Sequence, residues 1–243
     1  MDSQYWNHLD NLVVVACHAV YVADSFQEPL ADSSWRLLSY QNGEPPLYLE
    51  HIRRGVEIAG LDRTSLLVFS GGQTRRAAGP RSEAQSYWIL AEHNRWWGSK
   101  AVRCRATTEE FARDSFENLL FSICRFRECV GSFPERITAI SFSFKAERFD
   151  LHRAALRFPR EKFSFEGLNN PPNLEAAVRR EQRNARDLFA VDPYGCHGQL
   201  LRKRRIRNPF NRESGYLSSC PEVARLLVHR GPALYQDDLP WDQ

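Results

Sequence analysis

The sequence contains no apolar run long enough to cross a membrane. Its longest candidate, from Leu12 to Val22, is interrupted by His18 and is well short of the roughly 20 residues that a membrane helix needs. The first residues also lack the basic stretch and apolar core of a secretory signal. We therefore expect an intracellular protein without a membrane partner, and the cytosol is the expected compartment.

The cysteines are scattered along the sequence, and the familiar cofactor and catalytic motifs are missing. The six cysteines form no CxxC pair and no metal-ligand spacing, so reduced thiols and no metal site are predicted. The sequence contains no GxGxxG, Walker, GxSxG or HExxH motif. A formal net charge of +3 is too small to indicate nucleic-acid binding by itself.

Short β-branched runs alternate with helical patterns over residues 12–168. Strands are predicted at residues 12–17, 64–70, 101–104, 137–142 and 162–165. Helices are predicted to begin near Pro45, Ser82, Asp114 and Lys145. This alternation predicts a Rossmann-like three-layer α/β sandwich, with a mainly parallel sheet between two layers of helices.

The pattern changes after Pro171. A polar helix is predicted over residues 173–189, followed by a turn-rich stretch with basic residues at 202–205 and 207. The aromatic residues Tyr235 and Trp241 are anchors that a disordered tail would not carry. We therefore predict a Rossmann-like domain over residues 1–170 and a helical or irregular extension, residues 171–243, that packs on it.

Polar residues follow the predicted strands. They are Cys17-His18, Ser70-Gly71-Gly72, Thr107-Thr108-Glu109 and the segment from Ser141 to Lys145. Ligands of open parallel sheets bind just beyond the carboxyl ends of the strands. The sequence therefore predicts one cleft in which these polar residues meet.

The Ser70-Gly71-Gly72 turn is interpreted as an anion-binding turn. Two glycines let backbone N–H groups approach a ligand without interference from a Cβ atom. An isolated glycine pair more often makes only a tight turn, but Arg75 and Arg81 follow closely, and guanidinium groups suit phosphate or carboxylate.

Further candidates lie at the starts of the predicted helices. Glu83 is in a first helical turn, where the helix dipole also stabilises an acid, and His18 is either a core imidazole or a general acid/base. Asn118 follows a predicted Asp114–Glu117 capping box and is free to face a ligand. Lys145 and Arg148 are ligand-binding candidates at the end of the fourth strand, with a solvated charged face as the alternative.

Together these residues resemble the YdcF/SanA-like family (domain of unknown function 218), in particular its fungal cytoplasmic members. The matching segments are Ser70-Gly71-Gly72, Ser82-Glu83-Ala84, Glu109 through Asn118, and Phe144 through Arg148. The chain departs from the family pattern at Ala112, Ser115, Lys145 and Cys17-His18-Ala19. The resemblance implies a Rossmann-like fold, a ligand-binding role for Ser115, and S-adenosylmethionine as a candidate ligand. It implies no reaction.

Three functions are compatible with the sequence. The first is an enzyme acting on an anionic or nucleotide-like small molecule, with Glu83 or His18 as the acid/base group. The second is a non-catalytic module that binds S-adenosylmethionine or a related nucleotide. The third, an RNA-associated protein using the basic tail, ranks last because the short patch lacks aromatic stacking platforms.

Overall fold

A central parallel sheet organises the protein, as seen in a computed structural model that describes residues 6–242. The strands are β1 (Asn11–Ala16), β2 (Val20–Tyr21), β3 (Trp35–Arg36), β4 (Ser65–Ser70), β5 (Ala106–Glu109), β6 (Arg136–Phe142) and β7 (Phe163–Leu168). Five of them form the sheet in the order β5-β4-β1-β6-β7, and every neighbouring pair is parallel. The other two, β2 and β3, form a small antiparallel pair.

Helices cover both faces of this sheet. Those between the strands are α1 (Pro45–Leu61), α2 (Glu83–His93), α3 (Lys100–Arg103), α4 (Ser115–Val130) and α5 (Ala146–Ala155). After the last strand follow α6 (Leu174–Glu181), α7 (Asp187–Val191), α8 (Gly198–Ile206), α9 (Tyr216–Ser219) and α10 (Ala224–Val228). A π-helical stretch, Gln182–Arg186, joins α6 to α7.

Side chains that alternate along the strands divide the core into two layers. Leu12 and Val14 of β1 pack in one cluster with α4 and α5, whereas Val13 and Val15 pack in the other with α1 and α2. All six residues of β1 are buried, which is the pattern of a central strand covered on both sides. The predicted Rossmann-like sandwich is confirmed.

The predicted third strand was placed wrongly. Residues 101–104, taken for a strand, lie in or directly after helix α3, and the strand is β5, Ala106–Glu109. Among the described residues it is a sheet edge, and its one partner strand there is β4. Its sequence, Ala-Thr-Thr-Glu, therefore lacks the apolar run that marks a strand buried on both faces.

The two predicted helix caps differ. Ser82 and Gln85 form the reciprocal pair, because the Gln85 N–H donates to Ser82 Oγ (2.9 Å) and the Ser82 N–H to Gln85 Oε1 (3.3 Å). Asp114 also accepts from the Glu117 N–H (3.0 Å). However, the Glu117 carboxylate accepts from the backbone and guanidinium of Arg113 instead of from the Asp114 N–H. Only the Asp114 half of the second predicted capping box is therefore formed.

Residues after β7 pack against the α4 and α5 side of the sheet. The Trp241 indole donates to the Leu156 carbonyl (2.7 Å), and the Tyr194 hydroxyl donates to the Ala155 carbonyl (3.0 Å). Buried residues of this extension belong to the same apolar cluster as β1, α4 and α5. The extension and the sandwich therefore share one continuous core.

The order of the strands along the chain determines the position of the topological switch point. From β1 the chain runs outward through β4 to β5, crosses back through α4, and adds β6 on the other side of β1. The carboxyl ends of β1 and β6 therefore flank the topological switch point, which is where open α/β sheets bind ligands.

Candidate functional site

A cavity of about 430 Å³ lies at this switch point. One side of it is lined by Ala16 at the end of β1, by Cys17 and His18 directly after it, and by Ser141 and Phe142 of β6. The extension supplies the opposite side through residues of α6, α8 and the segment between them. Of the eleven site residues predicted from the sequence, the cavity brings together His18, Arg75, Glu83, Ser115, Asn118, Lys145 and Arg148. Ser70, Gly71, Gly72 and Arg81 lie outside its lining.

The Gly71-Gly72 pair does not offer its N–H groups to a ligand. The Gly71 N–H donates to the Glu109 carbonyl (2.9 Å), and the Gly72 N–H donates to the Ala112 carbonyl (2.8 Å). A Cβ atom on Gly72 would lie 2.7 Å from that Ala112 oxygen. Gly72 is needed because the β5–α4 loop approaches closely, and a Cβ atom on Gly71 would lie 2.8 Å from Glu83 Cβ and 2.9 Å from Cys17 Cβ. The expected anion-binding role of these amides is therefore corrected.

The carbonyl groups of the same turn cap helix α2. The Gly72 carbonyl accepts from the Glu83 N–H and the Gly71 carbonyl from the Ala84 N–H, both at 3.0 Å. Together with the Ser82 cap, these bonds use the first free N–H groups of the helix. The turn therefore fixes the start of α2 and, with it, the position of Glu83.

Ser70 and Asn118 form a buried support beneath the cavity. The Ser70 hydroxyl donates to Glu109 Oε2 (2.6 Å), and the Asn118 amide donates to the Ser70 carbonyl (2.8 Å). Burial raises the pKa of Glu109 to about 7. Ser70 is fully buried and has a structural role. The Asn118 amide, which was expected to be free for a ligand, instead donates its hydrogen bonds to Ser70.

Arg81 also binds outside the cavity. Its guanidinium donates to the Tyr21 carbonyl (2.6 Å) and so ties the α2 start to the β2–β3 pair. Glu83, by contrast, lines the cavity, and its carboxylate accepts a hydrogen bond from the Thr74 hydroxyl. Its carboxylate is therefore within the cavity wall, as the acid/base expectation requires.

His18 and Lys145 meet on the β6 side of the cavity. Lys145 Nζ lies 3.4 Å from His18 Nδ1 and 4.8 Å from the centre of the Phe142 ring. The His18 ring stacks on Phe142 with a centroid distance of 4.9 Å. Burial, followed by the charge of Lys145, lowers the pKa of His18 well below its ordinary value. Burial and the charge of Arg148 lower the pKa of Lys145 to about 7.

Arg148 and Ser115 form a buried network with two residues that the sequence did not single out as its partners. Arg148 pairs with Glu181 of α6 through two hydrogen bonds (2.6 and 3.1 Å) and donates to Ser115 Oγ (2.5 Å). Ser115 Oγ also lies 2.7 Å from His152 Nε2. Burial lowers the pKa of His152 well below its ordinary value, so this imidazole is neutral.

The extension contributes cations that the sequence placed on a separate basic surface. Lys203 and Arg207 are one helical turn apart and both line the cavity, as does Arg180 of α6. Burial, then the charge of Arg207, lower the pKa of Lys203. The four-residue spacing of Lys203 and Arg207 signals a shared face, but nothing in the sequence shows that this face points to the strand ends.

No metal cluster or membrane helix is found in the part of the chain that the structure describes. Among residues 6–242, no group of three or more His, Cys, Asp or Glu side chains is arranged to hold a metal ion. In the same residues, no helix has both the length and the apolar character needed to span a membrane. All six cysteines lie within this range and carry free thiols.

The fold and cavity define a Rossmann-like α/β protein whose switch-point cavity is lined on one side by the extension that follows β7. The uncharacterized protein YOR238W of Saccharomyces cerevisiae is 30% identical over 276 aligned positions, which cover 89% of this chain and 90% of the yeast protein. The chain belongs to the family of that yeast protein. No protein-family model and no solved structure matches it.

Proposed function

We propose that this protein is an enzyme that binds an anionic, nucleotide-like small molecule in the switch-point cavity. The supporting observation is a surplus of unpaired positive charge. Within the described chain, five cations line the cavity without an ion pair to a carboxylate: Arg75, Lys145, Arg180, Lys203 and Arg207. The two other lining cations, Arg113 and Arg148, are paired with Glu117 and Glu181.

Carboxylates in the cavity wall do not cancel this surplus. Glu44 and Glu83 also line the cavity, where they accept hydrogen bonds from the hydroxyls of Tyr48 (2.7 Å) and Thr74. Burial raises the pKa of Glu44, which weakens its negative charge further. Even with Lys145 only partly protonated, the positive charge exceeds that of two carboxylates, and an anionic ligand relieves the mutual repulsion of the cations in a low-dielectric site.

The size and the aromatic lining favour a nucleotide-like ligand over a small inorganic anion. Pockets for small molecules and cofactors span roughly 300 to 1,000 Å³, and the cavity is about 430 Å³. Phe142 is buried and stacks with both His18 and Phe144. The more accessible rings of Tyr40 and Phe144 also line the cavity beside the cations and suit contact with a planar ring. S-adenosylmethionine, which the YdcF/SanA resemblance implies, carries a net positive charge, so a phosphorylated nucleotide fits this lining better.

Groups that transfer protons support an enzyme rather than a non-catalytic binding module. His18 is neutral and contacts Lys145, and the Glu83 carboxylate lies in the same wall. A module that only binds its ligand would use the same cations but would leave that ligand unchanged. We also propose a cytoplasmic location, which the six free thiols support.

RNA binding through the tail remains the weakest alternative. Arg202 and Arg205 are exposed, but Lys203 and Arg207 line the cavity and Arg204 is buried. The basic run is therefore split between surface and interior, which leaves little continuous surface for a phosphate backbone.

Isothermal titration calorimetry with ADP, pyrophosphate and S-adenosylmethionine tests the proposal, at an ionic strength of about 0.15 M. Arg207→Gln should weaken binding of ADP or pyrophosphate about tenfold, because it removes an unpaired cation from the cavity. Arg205→Gln removes the same charge two residues away on the exposed surface and is the matched control.

Absence of binding to all three ligands, or equal losses in the two variants, would refute the cavity assignment. Mass spectrometry of the bound ligand after incubation then separates the enzyme from the binding module, since only the enzyme changes the ligand.

A further inference from the structure

Lysine is rare in this chain, and its placement is selective. The sequence contains 29 arginines and only four lysines, Lys100, Lys145, Lys162 and Lys203. Two of the four, Lys145 and Lys203, line the switch-point cavity. Arginine stays protonated in proteins, whereas a buried lysine readily loses its proton. A cavity that needed only positive charge could use arginine throughout. Lysine at these positions therefore indicates a role for an amine that can lose its proton.

The two cavity lysines are held differently. Lys203 Nζ donates to the Asn184 carbonyl, which occupies its amine. Lys145 Nζ lies above the Phe142 ring and 3.4 Å from the neutral ring of His18. In the described chain it forms no ion pair, and its contacts are with the neutral His18 ring and the faces of Phe142 and Phe144.

Surrounding charges act on Lys145 from several elements. Arg148 on α5 and Arg207 after α8 disfavour its protonation, whereas Glu181 on α6 and Glu44 before α1 favour it. The nearby imidazoles of His18 and His51 are neutral, since burial lowers the pKa of both. With burial, these groups set the pKa of Lys145 to about 7, so a large fraction of the amine is neutral at physiological pH.

We propose that Lys145 is an imine-forming nucleophile, and that the substrate is an anionic aldehyde or ketone. This inference rests on the proposed function, because the unpaired cations of the cavity hold the anionic group while the carbonyl carbon lies at Lys145. A desolvated lysine next to other cations is an established way to obtain a nucleophilic amine.

The proposed step is balanced without any oxidant or reductant. The nitrogen lone pair of Lys145 forms the C–N bond, and the π electrons of the carbonyl move to its oxygen. His18 Nδ1 accepts one proton from the nitrogen and returns it to that oxygen. In the carbinolamine that results, the nitrogen lone pair forms the C=N bond while the C–O bond breaks and its electrons leave with the oxygen. His18 Nδ1 relays the second amine proton to that oxygen, so the products are a neutral imine and one water molecule.

The experiment uses pyridoxal 5′-phosphate as an anionic aldehyde probe on the full chain near neutral pH. Sodium borohydride reduces any imine to a stable amine, and peptide mass spectrometry locates it. At pH 7 an amine with a pKa near 7 has about a thousandfold more of its neutral form than an ordinary lysine. Allowing for restricted access, we expect Lys145 to be modified at least about tenfold faster than Lys100 and Lys162. Pyrophosphate should protect it.

Two variants complete the test. Lys145→Arg keeps the charge and should abolish the fast adduct, whereas the same substitution at Lys162 should leave it in place. Equal modification of all four lysines, or preference for Lys203, would overturn the inference. If pyrophosphate binds by calorimetry but Lys145 is not modified, the imine inference fails and the anion site stands. If neither binding nor modification occurs, both fail.

Discussion

Arg204 of α8 forms a two-pronged ion pair with Asp114, the N-cap residue of α4. The distances are 2.5 Å from Nε to Oδ2 and 3.2 Å from Nη2 to Oδ1, and both side chains are largely buried. Burial acts to raise the pKa of Asp114, but the charge and hydrogen bonds of Arg204 outweigh it and lower that pKa. This pair attaches the extension to the helix that carries Ser115 and Asn118.

Arg204→Gln should destabilise the protein by about 3 to 5 kcal/mol, since it leaves the Asp114 carboxylate buried without its cation. Urea unfolding followed by tryptophan fluorescence measures the change. Arg205→Gln, at the exposed neighbouring position, should change the unfolding free energy by less than about 0.5 kcal/mol. Similar losses in both variants would show that Arg204 contributes only general charge.

Glu181→Gln should change stability and anion binding in opposite directions. It weakens the ion pair that holds Arg148, so the unfolding free energy should fall by about 1 to 3 kcal/mol. It also removes one negative charge from the cavity, so pyrophosphate affinity should rise severalfold in calorimetry. The matched control is Glu175→Gln on the same helix, where the side chain is 83% exposed. A fall in affinity in Glu181→Gln would contradict the assigned charge balance.

Gly72→Ala should reduce stability, because the added Cβ atom would lie 2.7 Å from the Ala112 carbonyl oxygen. Such overpacking costs about 1 to 3 kcal/mol and should appear as a lower thermal midpoint. Gly215 has a φ of −76°, and a Cβ atom there would meet nothing within 4 Å, so Gly215→Ala is the control. An unchanged midpoint in Gly72→Ala would mean that the β5–α4 loop moves freely.

Anion binding should weaken as the pH rises above about 7. A bound anion raises the pKa of Lys145 from its value of about 7, so binding takes up a proton in the interval between the free and bound values. Affinity is therefore constant below that interval and falls by up to about tenfold per pH unit within it. Calorimetry with ADP on the wild type and on Lys145→Arg checks this. Titration of ADP itself affects both proteins equally, so the difference between their pH profiles reports on Lys145.

A flat wild-type profile relative to Lys145→Arg would show that Lys145 does not titrate in the site. Loss of affinity toward low pH would contradict the sign of the linkage.

Much of the sandwich could be predicted because its central strands are short apolar runs between helical patterns. Residues 12–17 are buried, as are residues 137–142 apart from the partly buried Thr138, and both runs predict strands. The edge strand at Ala106 could not be recognised, because only one of its four residues is apolar. Helix α8 was missed for a similar reason, since only Leu200 and Arg204 of its nine residues are buried.

The candidate site was predictable only on the strand side. Topology brings His18, Glu83 and Lys145 to one place, because parallel strands end at the same edge of the sheet. The extension side depends on tertiary contacts such as Arg204–Asp114 and Arg148–Glu181, which no local pattern encodes. The glycine turn misled the prediction because a close approach of the β5–α4 loop also requires glycine.

Synthesis of the chain imposes an order on the assembly of the cavity. All the cavity residues at the strand ends have been translated once β7 has been made. Arg180, Lys203 and Arg207, on the extension side of the cavity, are translated later. Until Trp241 has left the ribosome, Phe133 after α4 and Phe158 after α5 lack the indole ring that packs against them. A stalled or shortened nascent chain therefore exposes an aggregation-prone apolar surface. The complete cavity forms only late in translation.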